Sequence, residues 1–305
     1  MGYKKKKSTR FIMITISTLF IGVMLLLPLI MVIVSSLREG LSFYLEAIST
    51  KTVISALKVT LLATVITVIV NTFFGIMASV LLTRYSFKGK QLLQTLIDIP
   101  FSVSPVIAGL AFIMMFGRMG WAAPLIDAIN NTFGWDIKIV FAIPGVVLAT
   151  IFVTFPFVSR EVIPVLNAVG SDEEDAAALM GAGTFTIFRR ITFPHMKWAL
   201  LYGIVLCTAR ALGEFGAVNA LSKTRGETFT LPLEIDALYM SGSADSITAA
   251  FAVSSILVLC SIVLLIIRSV LEHTHLSGSG TGKSKVTAAD KEFGETHGEE
   301  VPEEI

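Results

Sequence analysis

Apolar residues in this chain gather into long runs, near Phe11 to Leu37, Val53 to Thr83, Ile99 to Phe116, Ile139 to Val158, Trp198 to Leu221 and Ala249 to Ile267. A helix needs about 20 residues to cross the hydrocarbon core of a bilayer, so the pattern predicts an all-α membrane protein with about six transmembrane helices. The first run is longer than the apolar core of a secretory signal, and no small-residue cleavage pattern follows Pro28, so it reads as a retained helix.

One interruption between the runs stands apart, Ser171 to Pro194, with the sequence SDEEDAAALMGAGTFTIFRRITFP. It is too charged for lipid, yet it is patterned as two short helices hinged at glycine. Ser171 and Glu174 have the spacing of a capping box, and Asp172, Glu173, Glu174 and Asp175 suit the positive end of a helix dipole. Ala176, Ala177 and Ala178 keep this helix slim, Leu179 and Met180 give it an apolar edge, and Gly181 with Gly183 ends it. Thr184 is placed to cap a second helix through Ile187 and Ile191, before Pro194 opens the next long run. On chemistry alone, an amphipathic loop lying on the membrane surface explains the stretch equally well.

Composition points to lipid independently of the pattern. Hydrophobic residues make up 54% of the chain and charged residues only 15%, and the mean hydropathy is +0.77. Basic residues flank one side of the runs preferentially: Lys4 to Lys7 and Arg10, then Arg84, Lys88 and Lys90, then Arg160, Arg189, Arg190 and Lys197, and finally Arg268. The opposite loops carry fewer, among them Arg38, Lys51, Arg118, Lys138, Lys223 and Arg225. Because cytoplasmic loops accumulate lysine and arginine, both termini and the patterned loop are expected in the cytoplasm. The chain then divides into a basic cytoplasmic start (1–10), a membrane domain (11–270) containing the loop 171–194, and a tail (271–305). The tail turns Gly/Ser-rich from Ser277 and then acidic through Glu292, Glu295, Glu299, Glu300, Glu303 and Glu304, so it is expected to be disordered and cytoplasmic.

The remaining chemistry is sparse. Cys207 and Cys260 lie in apolar runs without metal-site spacing, and His273 and His275 read as a chance pair, so no metal is expected. No phosphate-binding glycine loop, nucleophile elbow or metalloprotease helix occurs, so neither a catalytic residue nor a cofactor is expected in this chain. A net charge of +1 says little about partners, and no nucleic acid is expected among them.

Two runs carry unusual polar content. The third holds DIPFSVSPVIAGLAF, Asp98 to Phe112, in which Pro100 and Pro105 remove amide donors from a segment otherwise suited to a helix. Lipid tolerates that only where protein or a water-filled path satisfies the freed carbonyls, which directs this span toward a pathway and makes Ser102, Ser104 and Pro105 candidates for lining it. A kink chosen for packing is the competing explanation. The fifth run holds ARALGEFGAV, which puts Arg210 and Glu214 one helical turn apart. Either charge alone is costly in a membrane, so they are expected to pair internally or to face a hydrated anion route.

From Asp175 the chain reads DAAALMG and, after nine residues, ITFP. This resembles the cytoplasmic signature E-A-A-x-x-x-G-x9-I-x-L-P of ABC importer permeases, with Asp175 in the glutamate position and Phe193 in place of leucine. The runs DIPFSVSPVIAGLAF, KWALLYGIVLCTARALGEFGAV and RGETFTLPLEIDALY extend the resemblance to the sulfate/thiosulfate subgroup, specifically the second of its two homologous membrane subunits, over roughly 19–270. The resemblance implies a type I ABC importer permease fold in the bacterial cytoplasmic membrane. It also implies that Glu174, Asp175, Ala176, Ala177, Leu179, Met180, Gly181, Ile191 and Pro194 belong to a coupling helix and its flank, docked into a separate ATPase. The implied assembly adds a homologous partner permease, two copies of the ATPase that binds ATP and Mg, and an extracytoplasmic binding protein for sulfate or thiosulfate. A molybdate or tungstate permease is the alternative within the family, since GEFGA looks alike there, although RGETFTLPL favours sulfate. An ion-coupled secondary anion transporter would explain the spans but would leave the patterned loop without a purpose.

Overall fold

The computed structural model describes residues 11–272, apart from 135 and 137. The basic start and, beyond 272, the tail expected to be disordered lie outside the described residues. Among the described residues there are helices and connecting turns but no strand. The first half of the chain forms α1 (Phe11–Ser36), α2 (Leu41–Ser49), α3 (Lys51–Arg84), α4 (Lys90–Ser102), α5 (Pro105–Phe116) and α6 (Ala123–Phe133). There follow α7 (Ile143–Thr154), α8 (Pro156–Val169), α9 (Asp172–Leu179), α10 (Thr184–Ile187), α11 (Phe193–Leu212), α12 (Gly216–Leu221), α13 (Leu231–Met240) and α14 (Ala244–Glu272).

Four helices are long and apolar enough to cross a membrane singly: α1, α3, α7 with α8 as one helix over Ile143–Val169, and α14. A fifth crossing is available if α4 and α5 count together, but these meet at a 110° bend. The third apolar run is therefore an elbow where a single kinked span was expected. Val103 and Ser104 both take extended backbone angles, as the residue before a proline prefers, and Pro105 then starts α5 at a position where its missing N–H costs nothing. The fifth run, expected to cross the membrane, is helical to Leu212, breaks over 213–215 at the bend that Gly213 and Gly216 around Glu214 suggest, and resumes as the short α12; it is not among the helices apolar enough to cross singly.

α3 is the central column, and its polarity is inverted relative to a helix in water. Its buried face carries Thr60, Thr64, Thr67, Asn71 and Ser79, while Leu61, Leu62, Val65, Ile69 and Phe73 point outward. Lipid is as apolar as leucine, so helices in a membrane associate through small side chains and hydrogen bonds instead of through apolar burial. Here Asn71 Nδ2 donates to Thr154 Oγ1 at 2.8 Å and to the Ile151 carbonyl at 3.3 Å, joining α3 to α7. The core of α8 and α11 adds Val158, Val162, Leu166, Met196, Leu200 and Cys207. Gly75 of α3 and Gly203 of α11 both face Val158, so the three backbones approach closely.

α10 and α11 form one continuous helix joined by a π-turn over Phe188–Thr192, where the Phe193 N–H donates to the Phe188 carbonyl. Pro194 explains the wide turn: it has no N–H to continue the ladder and its ring clashes with a carbonyl four residues back.

Candidate functional site

The patterned loop folds as a helical hairpin of α9 and α10. Its turn is held by the Ala182 N–H on the Ala177 carbonyl and the Gly181 N–H on the Ala178 carbonyl, with Gly181 at φ +84°. This is a Schellman arrangement, and only glycine adopts that backbone cheaply. The turn leaves Leu179 91% and Met180 82% exposed at the hairpin tip, and Phe185 is exposed beside them. Asp175, Ala176 and Gly181 are exposed on the same hairpin, Ala177 is buried beneath it, Ile191 is half-buried in the π-turn and Pro194 is exposed.

The expected capping box is not formed. Ser171 Oγ donates to Asp175 Oδ2 at 3.0 Å and makes no bond to the helix's free amides. Glu174 turns inward instead: its Oε2 accepts from Arg84 Nε at 2.8 Å and its Oε1 from Thr192 Oγ1 at 2.8 Å. A charged partner at the end of α3 outbids a backbone amide for the same carboxylate. Thr184 also does not cap the second helix; Gly183 holds that position, with no side-chain bond to the free amides. Arg84 and Thr192 were not among the residues singled out from sequence. The only signal for Arg84 was its place at the basic end of the second run.

The second group of candidates lies where the elbow meets the break after α11. A Cβ on Gly216 would sit 2.9 Å from Pro105 Cβ, and one on Gly109 would sit 2.5 Å from the Ala217 carbonyl oxygen, so α5 and α12 cross in near backbone contact. Arg210 Nη1 and Glu214 Oε2 are 2.5 Å apart, and the Ala217 N–H donates to Glu214 Oε1 at 2.9 Å. The expected internal ion pair is thus present, and the same carboxylate also satisfies an amide at the start of α12. Glu214 is buried while the Arg210 side chain keeps about a third of its surface exposed, so the exposed face of the pair is cationic. Pro105 is half-buried at this crossing, and Ser102 and Ser104 are exposed at the elbow.

At the other end of α3 from Arg84, the loop after α12 is pinned to the column. Ser55 Oγ donates to the Gly226 carbonyl at 2.5 Å, and the Leu231 N–H donates to Thr60 Oγ1 at 2.7 Å. Within this loop Arg225 grips Glu234 through Nε and Nη2, with the closest contact at 2.7 Å, and Glu234 is wholly buried. The hydrogen bond to that carboxylate raises the Arg225 guanidinium above its already high ordinary value. Sequence reasoning did not single out this pair.

Comparison with known proteins places these features. Residues 71–274 match the family described as binding-protein-dependent transport system inner membrane component. The chain is similar to the sulfate transport system permease protein CysW of Synechococcus elongatus, 44% identical over 89% of this chain and 92% of that one. It is also similar to CysW of Escherichia coli K12, 42% identical over 86% and 88% of the two chains. A sulfate transport system permease protein CysT from Salmonella typhimurium is 36% identical over 66% and 71%. Among solved structures, a chain of a bacterial alginate ABC transporter in complex with its alginate-bound periplasmic protein has a TM-score of 0.67 at 17% identity, covering 88% of this chain and 94% of that one. With its helical fold, apolar spans and projecting hairpin, the chain belongs to the family of binding-protein-dependent transport system inner membrane components.

Proposed function

We propose that this chain is the permease subunit of an ATP-driven importer of sulfate and thiosulfate, forming half of the translocation pathway. The observation that carries the proposal is the hairpin tip, where Leu179 and Met180 stand almost fully exposed, with Phe185 exposed beside them, in a chain whose relatives bear the name sulfate transport permease. Large apolar residues offered in this way on a short, anchored arm fit a groove on another protein. The groove belongs to a separate ATPase, present in two copies, which binds ATP and Mg; this chain hydrolyses nothing itself. The similarity to both CysW and CysT relatives supports a homologous partner permease, and the family description supports an extracytoplasmic binding protein.

The basic flanks favour a cytoplasmic hairpin with both termini on the same side. ATP-driven closure of the ATPase pair then moves the hairpins, and the two permeases rock between outward and inward access around the anion. Each ATP state must favour one of these conformations for the cycle to turn. Arg210, whose side chain keeps about a third of its surface exposed, supplies positive potential on an anion route to which Ser102, Ser104 and Pro105 also contribute.

The test is uptake of labelled sulfate by cells with and without the gene, competed by thiosulfate and by molybdate, together with copurification of the ATPase. Uptake lost on deletion and competed by thiosulfate, with the ATPase lost on Gly181→Asp, supports the reading. Sulfate uptake that survives deletion, or that persists without the ATPase, overturns it.

A further inference from the structure

We infer that Arg84 and Glu174 form a clamp that makes the hairpin and α3 move as one body, so that this pair, separate from the docking surface, sets how much transport each ATP delivers. The inference rests on the hairpin being the element that docks on the ATPase.

Four acidic side chains open α9, and of these Glu174 is the one turned inward to the end of α3. Its carboxylate binds Arg84 of α3 through one oxygen and Thr192 of the π-turn through the other. Arg84 Nη1 donates in turn to the Leu166 carbonyl near the end of α8, at 3.0 Å. Two side chains therefore gather the ends of α3, α8, α9 and the helix leading into α11. Both are largely withdrawn from solvent, with 10% of the Arg84 and 14% of the Glu174 side chain exposed, so the charge-assisted bonds are little screened. The contact between His195 Nε2 and Glu173 Oε2, at 2.9 Å, is more open to solvent.

The clamp and the tip sit at opposite ends of α9. Leu179 and Met180 follow Glu174 by more than one helical turn, so a substitution at the clamp leaves the exposed docking surface chemically intact. Beyond the clamp, α3 runs unbroken for 34 residues, about 50 Å at 1.5 Å per residue. Its far end holds the loop at Gly226 and Leu231 through Ser55 and Thr60. Displacement of the hairpin therefore reaches the opposite face of the subunit through a rigid rod, provided that the Arg84–Glu174 joint does not slip.

The experiment uses the assembled complex of both permeases, the ATPase and the binding protein in proteoliposomes, and reads sulfate imported, ATP hydrolysed and ATPase retained on purification. Arg84→Gln, Glu174→Gln and the double variant are compared with Asp172→Asn, an exposed neighbour. The expected result is sulfate per ATP reduced about tenfold in either single variant and no further in the double, the non-additivity of two residues acting through one joint, with the ATPase retained and still hydrolysing ATP in Arg84→Gln. Asp172→Asn keeps the wild-type ratio. Thr192→Val, which removes one bond to Glu174 and leaves the ion pair, gives a smaller loss and serves if the single variants do not assemble. Unchanged sulfate per ATP in the single variants or, where these do not assemble, in Thr192→Val overturns the clamp, as do losses that multiply in the double. Leu179→Asp is run alongside: retention of the ATPase in that variant defeats the docking reading itself, independently of the clamp.

Discussion

Four helical glycines differ in the space each leaves for one added methyl group, and that gradation predicts an order of stability. An ideal Cβ at Gly109 would lie 2.5 Å from the Ala217 carbonyl oxygen, one at Gly75 2.8 Å from Val158 Cβ and one at Gly203 3.0 Å from Val158 Cα, while Gly22 has nothing within 4 Å. Ordinary contact begins at 3.4 Å, leaving shortfalls of about 0.9, 0.6 and 0.4 Å at the first three. At Gly109 the obstacle is backbone, so α5 itself must back away from α12. Overpacking costs about 1–3 kcal/mol, which places Gly109→Ala near 3, Gly75→Ala near 2 and Gly203→Ala near 1 kcal/mol. Alanine's preference for helix returns roughly 0.5–1 kcal/mol in each, and in Gly22→Ala that gain stands alone. The assay is the temperature at which half of the detergent-purified protein remains monodisperse. A net loss of about 2 kcal/mol in Gly109→Ala corresponds to a drop of about 4–8 °C for a chain of this size, while Gly22→Ala melts at or slightly above the parent. Gly109→Ala melting no lower than Gly22→Ala would refute the close crossing of α5 and α12, and with it the placement of the elbow against the break after α11.

Three further predictions concern buried charge. Arg225→Gln leaves Glu234 buried without its cation and is expected to cost about 3 kcal/mol, read as lowered thermal stability; a melt unchanged from the parent would show that the pair contributes little. The Arg225 guanidinium is raised by Glu234, so the stability it contributes is fully present below its ordinary value and would be lost only above it; the melting temperature is expected to respond little to this group across about pH 6–9. Arg210→Ala is expected to reduce both assembly of the complex and labelled sulfate uptake, whereas Arg210→Ala with Glu214→Ala restores assembly, because removing both members of a pair is cheaper than orphaning one. Recovery of uptake in that double variant would make Arg210 an ion-pair partner only, with no part in the anion route.

The apolar runs made the helical membrane fold legible, because their lengths and compositions differ so strongly from the polar stretches between them. They could not reveal that Ile99 to Phe116 turns through an elbow, since the outcome of two prolines depends on what packs around the break, here Gly216 and Ala217. The hairpin was legible down to the glycine that ends α9. Its internal bonding was not: the spacing of Ser171 and Glu174 fits a capping box, but Arg84 lies far away in sequence and competes successfully for the carboxylate. The Arg225–Glu234 pair escaped for a related reason, as burial of Glu234 is a property of the packed loop. By contrast, the contact between Arg210 and Glu214 needs only one helical turn and was readable from spacing.

The inverted polarity of α3 bears on how the subunit is made. Its outward leucines, valines and phenylalanines suit it to enter the bilayer unaided, and hydroxyls such as Thr60, Ser79 and Thr83 can wait there bonded to carbonyls one turn back on the same helix. α11, with Lys197 near one end and Arg210 near the other, has no comparable claim on lipid, and it emerges from the ribosome after α3 and α8. The earlier helices thus present a ready-made surface of small and polar groups to a later one that cannot settle in lipid alone, and the order of synthesis doubles as the order of assembly.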